Sequence, residues 1–483
     1  MLRPWKTILS IELDCGKAVF QQIADGIIQE IRRGRLKPGT PLPGTRVLAS
    51  DLGVNRKTVV TAYEELIAEG WLDTAYKKGT FVSLKLPETR GRKKLHLPAE
   101  KPAFHFNEFD RKFVLHNTEN ISLEFNDGLP DVRLAPLDAL ARAYKRIFQQ
   151  KARWRMMSYG SERGEERLRT AIAAMLLHDR GLFTSDNGIC ITRGSQMALY
   201  LTAQTLVEPG DTVLIETPGY PPAREAFRKA GAQIIPVPVD AGGLRTDLLE
   251  EICRKQRVKA IYVTPHHQFP TTVSMKADRR LELIALSNRY GFAIVEDDYD
   301  HEFHFGMRSI LPLASDEQAA NIIYIGSLSK LLAPSVRVGY VIASPAFIQS
   351  LASLRILIDR QGDPVLENAV AELMEEGEIS RHARRALAVY RERREHMEQC
   401  LQKELKDKVY FSRPEGGLAY WVQFRKQQDM DLLLRKANSR GLGIMPAEPC
   451  SFNGTRLNAL RLGYASLTPE EAARGIQIIR DIL

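Results

Sequence analysis

Five short apolar runs, separated by longer amphipathic stretches, constrain the fold of most of the chain. They are ICIT (189–192), TVLIE (212–216), AIYVT (260–264), FAIVE (292–296) and IIYIG (322–326). Short apolar runs that alternate with helical patterns are typical of parallel strands joined by helices. From residue 121 onwards we therefore expect an α/β domain with a mainly parallel sheet. A smaller C-terminal α/β subdomain is expected from about residue 345, beginning with a long Arg/Glu-rich helix.

The first hundred residues have a different pattern. Apolar residues at helical spacing from Phe20 to Ile31 predict a first helix that ends at Gly34. A Pro/Gly-rich turn then leads to Thr45, the expected N-cap of a short second helix. The turn 53–55 separates it from a third helix, running from about Arg56 to Glu69 and capped by Asn55. Two helices joined in this way predict a helix-turn-helix, and WLDTAYKKGTFVS (71–83) predicts a two-stranded wing after it.

Five residues of this region are candidates for contacts with double-stranded DNA. The second helix of a helix-turn-helix enters the major groove by its N-terminal end, and a wing can approach the minor groove. The candidates are Arg46, Arg56, Lys57, Thr58 and Gly79. Each alone is as consistent with a solvated surface, but the ordered set favours DNA. The charge agrees, because residues 1–101 hold 18 Lys/Arg against 11 Asp/Glu, which is +7 of the net +9.

Length and composition limit the remaining possibilities. A chain of 483 residues exceeds one ordinary core, and we expect a winged-helix domain at 1–83, a linker at 84–120 and an effector domain at 121–483. No apolar run approaches the roughly 20 residues that cross a bilayer, so no membrane partner is expected and the predicted location is the cytoplasm. The five Cys are widely spaced without a CxxC, which predicts buried thiols and no metal site.

Three segments of the larger domain carry residues suited to one cofactor. After one predicted strand, Lys330 can form a Schiff base with an aldehyde, and Ser327 and Arg337 can hold a phosphate. Asp297, at the end of another strand, can keep a pyridine nitrogen protonated, and Tyr299 can reach a phenolic oxygen. The turn at 193–196, with Ser195 and Gln196, adds an anion site at a helix N-terminus. Singly these residues are more often structural, but together at strand ends they predict a pyridoxal phosphate (PLP) site.

Two resemblances follow from these motifs. Residues 17–83 closely resemble the winged-helix domain of the GntR family, which implies that Arg46, Arg56, Thr58 and Gly79 occupy its DNA-contact positions. The family more often has a small hydroxyl residue where Asn55 stands. Residues 125–480 resemble the fold-type I PLP-dependent aminotransferases through motifs that include SYG (158–160), RGSQMAL (193–199), ETPGY (216–220), HQFP (267–270), EDDYD (296–300), SLSK (327–330) and ALRLGYA (459–465).

The second resemblance implies a role for each candidate of the cofactor site. Lys330 would carry the internal aldimine, Asp297 would face the pyridine nitrogen and Tyr299 the phenolic oxygen. Tyr220 would stack on the ring, and Arg461 would bind an effector carboxylate. The implied phosphate ligands are Ser195, Gln196, Ser327 and Arg337. Phe269-Pro270 replaces the Asn-Pro of many aminotransferases, so Gln268 or His267 could supply that contact to the phenolic oxygen.

The combination of the two domains resembles the MocR/GabR subfamily of GntR-type regulators. That resemblance implies a PLP-dependent transcription regulator that binds operator DNA, forms a head-to-tail homodimer, and senses PLP, a small amine or an amino acid through an aldimine at Lys330. The sensors of γ-aminobutyrate carry an Arg shortly after the stacking Tyr, whereas Tyr220 is followed here by PPAR (221–224), which ends in Arg224, so that effector is not predicted.

Two alternatives stay open. The chain could be an active aminotransferase with a regulatory or vestigial DNA-binding domain, although we expect any transamination to be weak or absent. It could instead sense PLP itself, without an amine effector.

Overall fold

The computed structural model describes residues 5, 9, 11, 16–87, 104–105, 121–150, 153–306, 310–452, 454 and 456–483. The chain divides into two compact units, Met1–Phe109 and Asp110–Leu483. Most of the predicted linker, at 84–120, lies outside the described residues, so the domain boundaries at 83 and 121 stay a prediction.

The first unit contains the predicted three helices and wing. Helices α1 (Val19–Arg32), α2 (Thr45–Leu52) and α3 (Arg56–Ala68) are followed by strands β1 (Leu72–Ala75) and β2 (Gly79–Val82), which pair antiparallel. Ile23, Ile27 and Ile31 of α1 are buried in one core with Val59 and Leu66 of α3. The apolar spacing in the sequence therefore marked the faces that pack together.

The two predicted helix caps have different outcomes. The side chain of Asn55 accepts a hydrogen bond from the Lys57 N–H at 2.8 Å, as expected of an N-cap. The prediction for Thr45 was wrong, because Thr45 is the first helical residue of α2 and Gly44 is the N-cap, without a side-chain cap. The Thr45 hydroxyl instead lies 3.5 Å from the Nε of Arg56, a partner that local sequence does not reveal.

The second unit is built around one large sheet. Among the described residues, eight strands follow the order β4-β11-β10-β9-β8-β5-β6-β7. Strands β4, β10, β9, β8, β5 and β6 run in the same direction, while β11 and β7 are antiparallel to their neighbours. The bounds are β4 (Ile189–Thr192), β5 (Thr212–Thr217), β6 (Gln233–Asp240), β7 (Gly243–Leu244), β8 (Val258–Val263), β9 (Ala293–Asp298), β10 (Ile322–Ser327) and β11 (Gly339–Ile342). All five apolar runs are strands of this sheet, which confirms the mainly parallel α/β fold.

Helices cover both faces of the sheet. Alternate residues of β8 show the two layers, because Ala260 and Tyr262 join one core and Ile261 and Val263 another. The covering helices are α4 (Leu137–Gln149), α5 (Glu166–Arg180), α6 (Ser195–Leu206), α7 (Pro221–Lys229), α8 (Leu249–Lys255), α9 (Ala277–Tyr290), α10 (Pro345–Ile356) and α11 (Pro364–Glu375).

The C-terminal subdomain differs from the expectation at its start. The long Arg/Glu-rich helix is α12 (Glu378–Leu405), and two helices that cover the large sheet, α10 and α11, precede it. The subdomain continues with β12 (Val409–Phe411), β13 (Ala419–Phe424), α13 (Met430–Ser439), β14 (Leu442–Ile444), β15 (Ala459–Gly463) and α14 (Pro469–Ile482). It also includes β3 (Leu123–Phe125), which pairs parallel to β14. Phe125 is fully buried in the subdomain core, so residues from the beginning and the end of this unit pack together.

The cysteines mostly agree with the expectation of buried thiols. Cys190, Cys400 and Cys450 are buried and free, but Cys253 is half-buried, and Cys15 lies outside the described residues. Within the part of the chain that the structure describes, no helix is both long and apolar enough to cross a membrane.

Candidate cofactor site and DNA-binding surface

A pocket lies where the parallel strands of the large sheet end. Its lining residues come from the ends of β4, β5, β8, β9 and β10 and from the segment after β3, and they are Asp127, Ser195, Tyr220, Tyr262, Thr264, Phe269, Asp297, Tyr299 and Lys330. Five of the predicted cofactor residues therefore lie together, although the first and the last of them, Ser195 and Lys330, are 135 positions apart in the chain. Carboxyl ends of parallel strands are the usual ligand site of such sheets.

Lys330 lies in this pocket just after β10. Its Nζ donates to the carbonyl oxygen of Gly128 at 2.9 Å and lies 3.9 Å from a carboxylate oxygen of Asp127. The amine is thus oriented by the segment after β3, and its side chain is largely buried. Asp127 and Gly128 were missed by the sequence analysis, since nothing in the segment FNDG (125–128) indicates that it meets a lysine 202 residues later.

Asp297 lies near the end of β9, and its buried side chain lines the pocket. Its Oδ2 accepts a hydrogen bond from the Tyr262 hydroxyl at 2.8 Å, while its buried Oδ1 has no hydrogen-bond partner among the described residues. Burial raises the pKa of Asp297 to about 7; the Tyr262 hydrogen bond lowers it, and the charges of Asp298 and Asp300 raise it further. One oxygen is therefore positioned, and the other is available to a group in the pocket.

A second corner of the site is formed by the turn before α6. Gly194 has φ +80°, and a Cβ built there would lie 2.6 Å from Nη2 of Arg337. The Arg337 guanidinium donates to the carbonyl oxygen of Arg193 at 2.8 Å, so it lies directly against the N-terminal end of α6, where Ser195 begins the helix. Ser327 is buried at the end of β10, and its hydroxyl accepts from the Ser329 N–H at 3.1 Å. Backbone N–H groups, a guanidinium and a hydroxyl are suitable donors for an anion.

Aromatic side chains close the pocket. Tyr220 packs edge-on against Phe269 with ring centroids 5.0 Å apart, and its hydroxyl lies 3.3 Å from Nε2 of Gln196. Burial raises the pKa of Tyr220 to about 12, so the phenol is neutral. Tyr299 lines the pocket and donates to the backbone carbonyl of His267 at 2.8 Å. Gln196 and Tyr220 are thus coupled, although they follow different strands.

The expectation that Gln268 or His267 replaces an asparagine was wrong. The Gln268 amide donates to the carbonyl oxygens of Pro218 and Phe269, at 2.8 and 2.6 Å. The His267 ring is paired with Asp300, with 2.8 Å between Nδ1 and Oδ1. Neither side chain lines the pocket, and Phe269 faces it instead.

Arg461 lies on β15, and its guanidinium is buried beside the pocket. Its Nε donates to the carbonyl of Asp127 and its Nη1 to the carbonyl of Pro270, both at 2.8 Å, and it stacks 4.6 Å from the centre of the Phe269 ring. These contacts fix the guanidinium at the edge of the aromatic wall. By contrast, Arg224 donates to the carbonyls of Ser451 and Pro449 and does not line the pocket.

The candidate DNA-contact residues lie on the first unit. Arg46, Arg56 and Lys57 are exposed at the starts of α2 and α3, whereas Thr58 is half-buried. Gly79 is exposed at the wing with φ +105°. Tyr76, Lys77 and Lys78 are also exposed in the wing. The sequence analysis did not single them out as DNA contacts, although the two lysines lie in the turn between the strands.

Comparisons with known proteins agree on both units. Residues 20–82 match the family of bacterial regulatory proteins of the gntR type, and residues 118–479 match aminotransferase class I and II. The chain is 29% identical to the probable rhizopine catabolism regulatory protein MocR of Rhizobium meliloti, over 98% of this chain and 95% of that one. It is 32% identical to the pyridoxine biosynthesis regulator PdxR of Corynebacterium glutamicum, covering 88% and 86%.

This chain belongs to the MocR-type subfamily of GntR regulators. The large unit of this MocR-type regulator is also similar to the α-aminoadipate aminotransferase LysN of Thermus thermophilus. The two share 31% identity and a TM-score of 0.70, over 75% of this chain and 92% of that one. The regulator thus combines a GntR DNA-binding domain with a PLP-dependent domain of aminotransferase fold.

The pocket of this MocR-type regulator fits PLP. The unpaired Oδ1 of Asp297 matches a protonated pyridine nitrogen, and the corner at Gly194 and Arg337 matches a phosphate. Lys330 supplies a primary amine in the same pocket. Tyr262, which the sequence analysis treated only as part of an apolar strand, holds the second oxygen of Asp297.

Proposed function

We propose that this regulator holds PLP through Lys330 and changes its affinity for operator DNA when an amine with a carboxylate enters the same pocket. The residues that would hold the cofactor are Lys330 at its aldehyde, Asp297 at the pyridine nitrogen, Tyr299 at the phenolic oxygen, Tyr220 on the ring face, and Ser195, Gln196, Ser327 and Arg337 at the phosphate. When bound, PLP supplies an aldehyde that condenses reversibly with primary amines.

The observation that carries this proposal is the pairing of a buried, half-free carboxyl with an amine in one pocket. Asp297 presents Oδ1 without a partner among the described residues and with a pKa raised to about 7 by burial. An isolated buried carboxyl destabilises a fold, so its presence is best explained by a ligand that pairs with it. A cationic pyridine nitrogen meets that requirement.

Arg461 supports a carboxylate-bearing effector. Its guanidinium is already fixed by two backbone carbonyls, so little side-chain entropy would be lost when a carboxylate binds. Both carbonyl acceptors lie in segments that contribute to the pocket wall, so an effector carboxylate would lie beside Phe269 and Gly128. The position of Arg224, bonded elsewhere, supports leaving out γ-aminobutyrate.

The DNA half of the proposal rests on the exposed donors of the first unit. Arg56, Lys57 and Thr58 at the start of α3 would enter the major groove, Arg46 would reach a base or phosphate, and Gly79 would let the wing approach the minor groove. The effector can change DNA affinity only by binding more tightly to one of two arrangements of the molecule. A head-to-tail homodimer bound to a two-fold operator would provide those arrangements, and the DNA partner implies a cytoplasmic location.

The test is the visible absorption spectrum of the purified chain with PLP, before and after borohydride reduction, compared with Lys330→Ala. We expect a cofactor band that reduction shifts and that the variant lacks. No band in the wild type after PLP is added would refute the cofactor half of the proposal.

Two further assays separate the alternatives. Steady transamination of a panel of amino acids would favour an active aminotransferase. Loss of an amino-acid response in Arg461→Ala would support an amino-acid sensor, whereas a response to PLP alone that survives this substitution would support a sensor of the cofactor.

A further inference from the structure

Three buried histidines and one half-buried histidine form a cluster after β8 and β9. His266 and His267 follow β8, and His301 and His304 follow β9. The His266 ring centre lies 4.4 Å from that of His267, 4.6 Å from that of His301 and 5.9 Å from that of His304. No proposed PLP contact uses these four rings.

One nitrogen from each of His266, His267 and His304 could reach a common point. These three ring nitrogens all lie within 4.8 Å of one another. Both nitrogens of His266 and the Nε2 of His267 are buried without a hydrogen-bond partner among the described residues. His266 and His267 are 2% and 1% exposed, so water does not satisfy them from the surface. Buried imidazole nitrogens without partners are costly unless a ligand uses them.

The hydrogen bond between His267 and Asp300 favours metal binding. Asp300 lies 2.8 Å from Nδ1 of His267, and a proton shared there leaves the lone pair on Nε2 free to coordinate. Nε2 of His267 and the ring nitrogens of His266 therefore remain for a ligand, and the carboxylate of Asp300 orients the His267 ring.

We propose that His266, His267 and His304 bind one divalent first-row transition ion, with Zn²⁺ as the expected physiological ion. Three imidazoles suit Zn²⁺, Co²⁺ or Ni²⁺ and not Mg²⁺ or Ca²⁺, which prefer oxygen ligands. Zn–N bonds of about 2.0–2.1 Å would hold the three ring nitrogens closer to one another than the 4.8 Å limit within which they lie. Half-buried His304 provides the route for the ion from solvent.

A second possible ligand set, His266 with Asp298 and His301, is less suitable. Asp298 Oδ2 already accepts from the Tyr324 hydroxyl at 2.7 Å and lies 2.9 Å from Nδ1 of His301. The buried Arg180 guanidinium is 3.6 Å from the same carboxylate. A carboxylate whose charge is compensated in this way is a weaker ligand than a neutral imidazole.

The ion would connect two segments that also reach the cofactor pocket. His267 precedes Phe269 in the loop after β8, and the carbonyl of His267 accepts from Tyr299 in the segment after β9. Metal binding would therefore join these two walls of the pocket. The proposed site does not depend on the cofactor, because its three ligands lie outside the pocket lining.

The test is a titration of the full-length chain, freed of metals by a chelator, with Co²⁺ followed by visible absorption and then with Zn²⁺ as competitor. We expect one Co²⁺ per chain, a visible ligand-field band, and its loss as Zn²⁺ displaces Co²⁺. His304→Gln should lower the Co²⁺ affinity at least about 10-fold, and Asp300→Asn about 10- to 100-fold. His382→Gln, a buried histidine of α12 outside the cluster, should leave the affinity unchanged.

Controls separate this site from the cofactor pocket and from misfolding. Lys330→Ala should bind Co²⁺ like the wild type, because the metal ligands do not include Lys330. Circular dichroism of each variant checks its fold, and Asp300→Asn decides the outcome if His304→Gln does not fold. Absence of Co²⁺ binding, or wild-type Co²⁺ affinity in both His304→Gln and Asp300→Asn, would overturn the proposal and mean that the histidines only pack together.

Discussion

Replacing Asp297 by Asn should stabilise the cofactor-free chain while weakening its affinity for PLP. The pKa of Asp297, raised by burial from 3.8 to about 7, means that folding has to take up a proton or bury a charge. This increase in pKa lowers the free energy of unfolding by about 4 kcal/mol at pH 8 and by less than about 2 kcal/mol at pH 5. Asn keeps an acceptor for Tyr262 and removes the charge.

The direction in which stability changes with pH follows from proton binding. Between the unfolded pKa of about 3.9 and the folded value of about 7, the folded chain holds the proton more tightly, so this group loses stability as pH rises. The advantage of Asp297→Asn should therefore grow from pH 5 to pH 8 and then level off. PLP affinity should fall about 10-fold or more, because Asn cannot pair with a cationic pyridine nitrogen.

Asp298→Asn is the matched control on the next residue of β9. Burial opposes ionisation of Asp298, but His301 and Arg180 together outweigh it and hold its pKa well below the ordinary value. Breaking this buried pair should destabilise the chain by about 3–5 kcal/mol. Urea unfolding of both cofactor-free variants at pH 5 and pH 8, followed by PLP titration, makes the comparison. A loss of stability in Asp297→Asn at pH 8, or unchanged PLP affinity, would refute this reasoning.

Three other predictions concern the anion corner and the DNA-binding unit. Gly194→Ala should weaken the affinity for PLP more than the affinity for pyridoxal, which lacks the phosphate, because the new Cβ would lie 2.6 Å from Arg337 at a backbone φ of +80°. Parallel titrations with both compounds test this, and equal losses of affinity would argue against a phosphate site. Asn55→Ala should lower the free energy of unfolding of the first unit by about 1 kcal/mol, because the 2.8 Å hydrogen bond from the Lys57 N–H is lost. Thermal unfolding measures this, and no change would mean that the cap does not stabilise the unit. Arg56→Ala should weaken DNA binding and, if Arg56 binds phosphate, reduce the slope of log affinity against log salt concentration by about 1. The free energy of unfolding should change by less than about 0.5 kcal/mol. An unchanged DNA affinity would mean that Arg56 is not part of the interface.

Local patterns in the sequence were sufficient for the strands and the helix-turn-helix. An apolar run such as FAIVE (292–296) is buried on both sides of the sheet, so its composition reflects its position directly. The spacing of Ile23, Ile27 and Ile31 likewise follows from one buried helical face. The motif resemblance also placed Asp297 and Lys330 in one pocket, since each stands at the end of a strand.

Long-range contacts were beyond such patterns. Thr45 was predicted as a cap because its residue type favours one, but Arg56 offers its hydroxyl another partner. Strand β3 joins the C-terminal subdomain through β14, a pairing between residues more than 300 positions apart. The inward position of Phe269 depends on Gln268 and His267 finding partners in other segments. Each outcome involves a contact with another segment of the chain, which local patterns do not reveal.

A DNase footprint on operator DNA shows whether the PLP domain controls DNA binding. The footprint should be recorded for the wild type and Lys330→Ala, each without ligand, with PLP, and with PLP plus candidate amines. We expect PLP or an amine to change the protected region or its affinity in the wild type only. Footprints that are the same under all conditions, in a chain shown by absorption to hold PLP, would contradict control of DNA binding by the PLP domain.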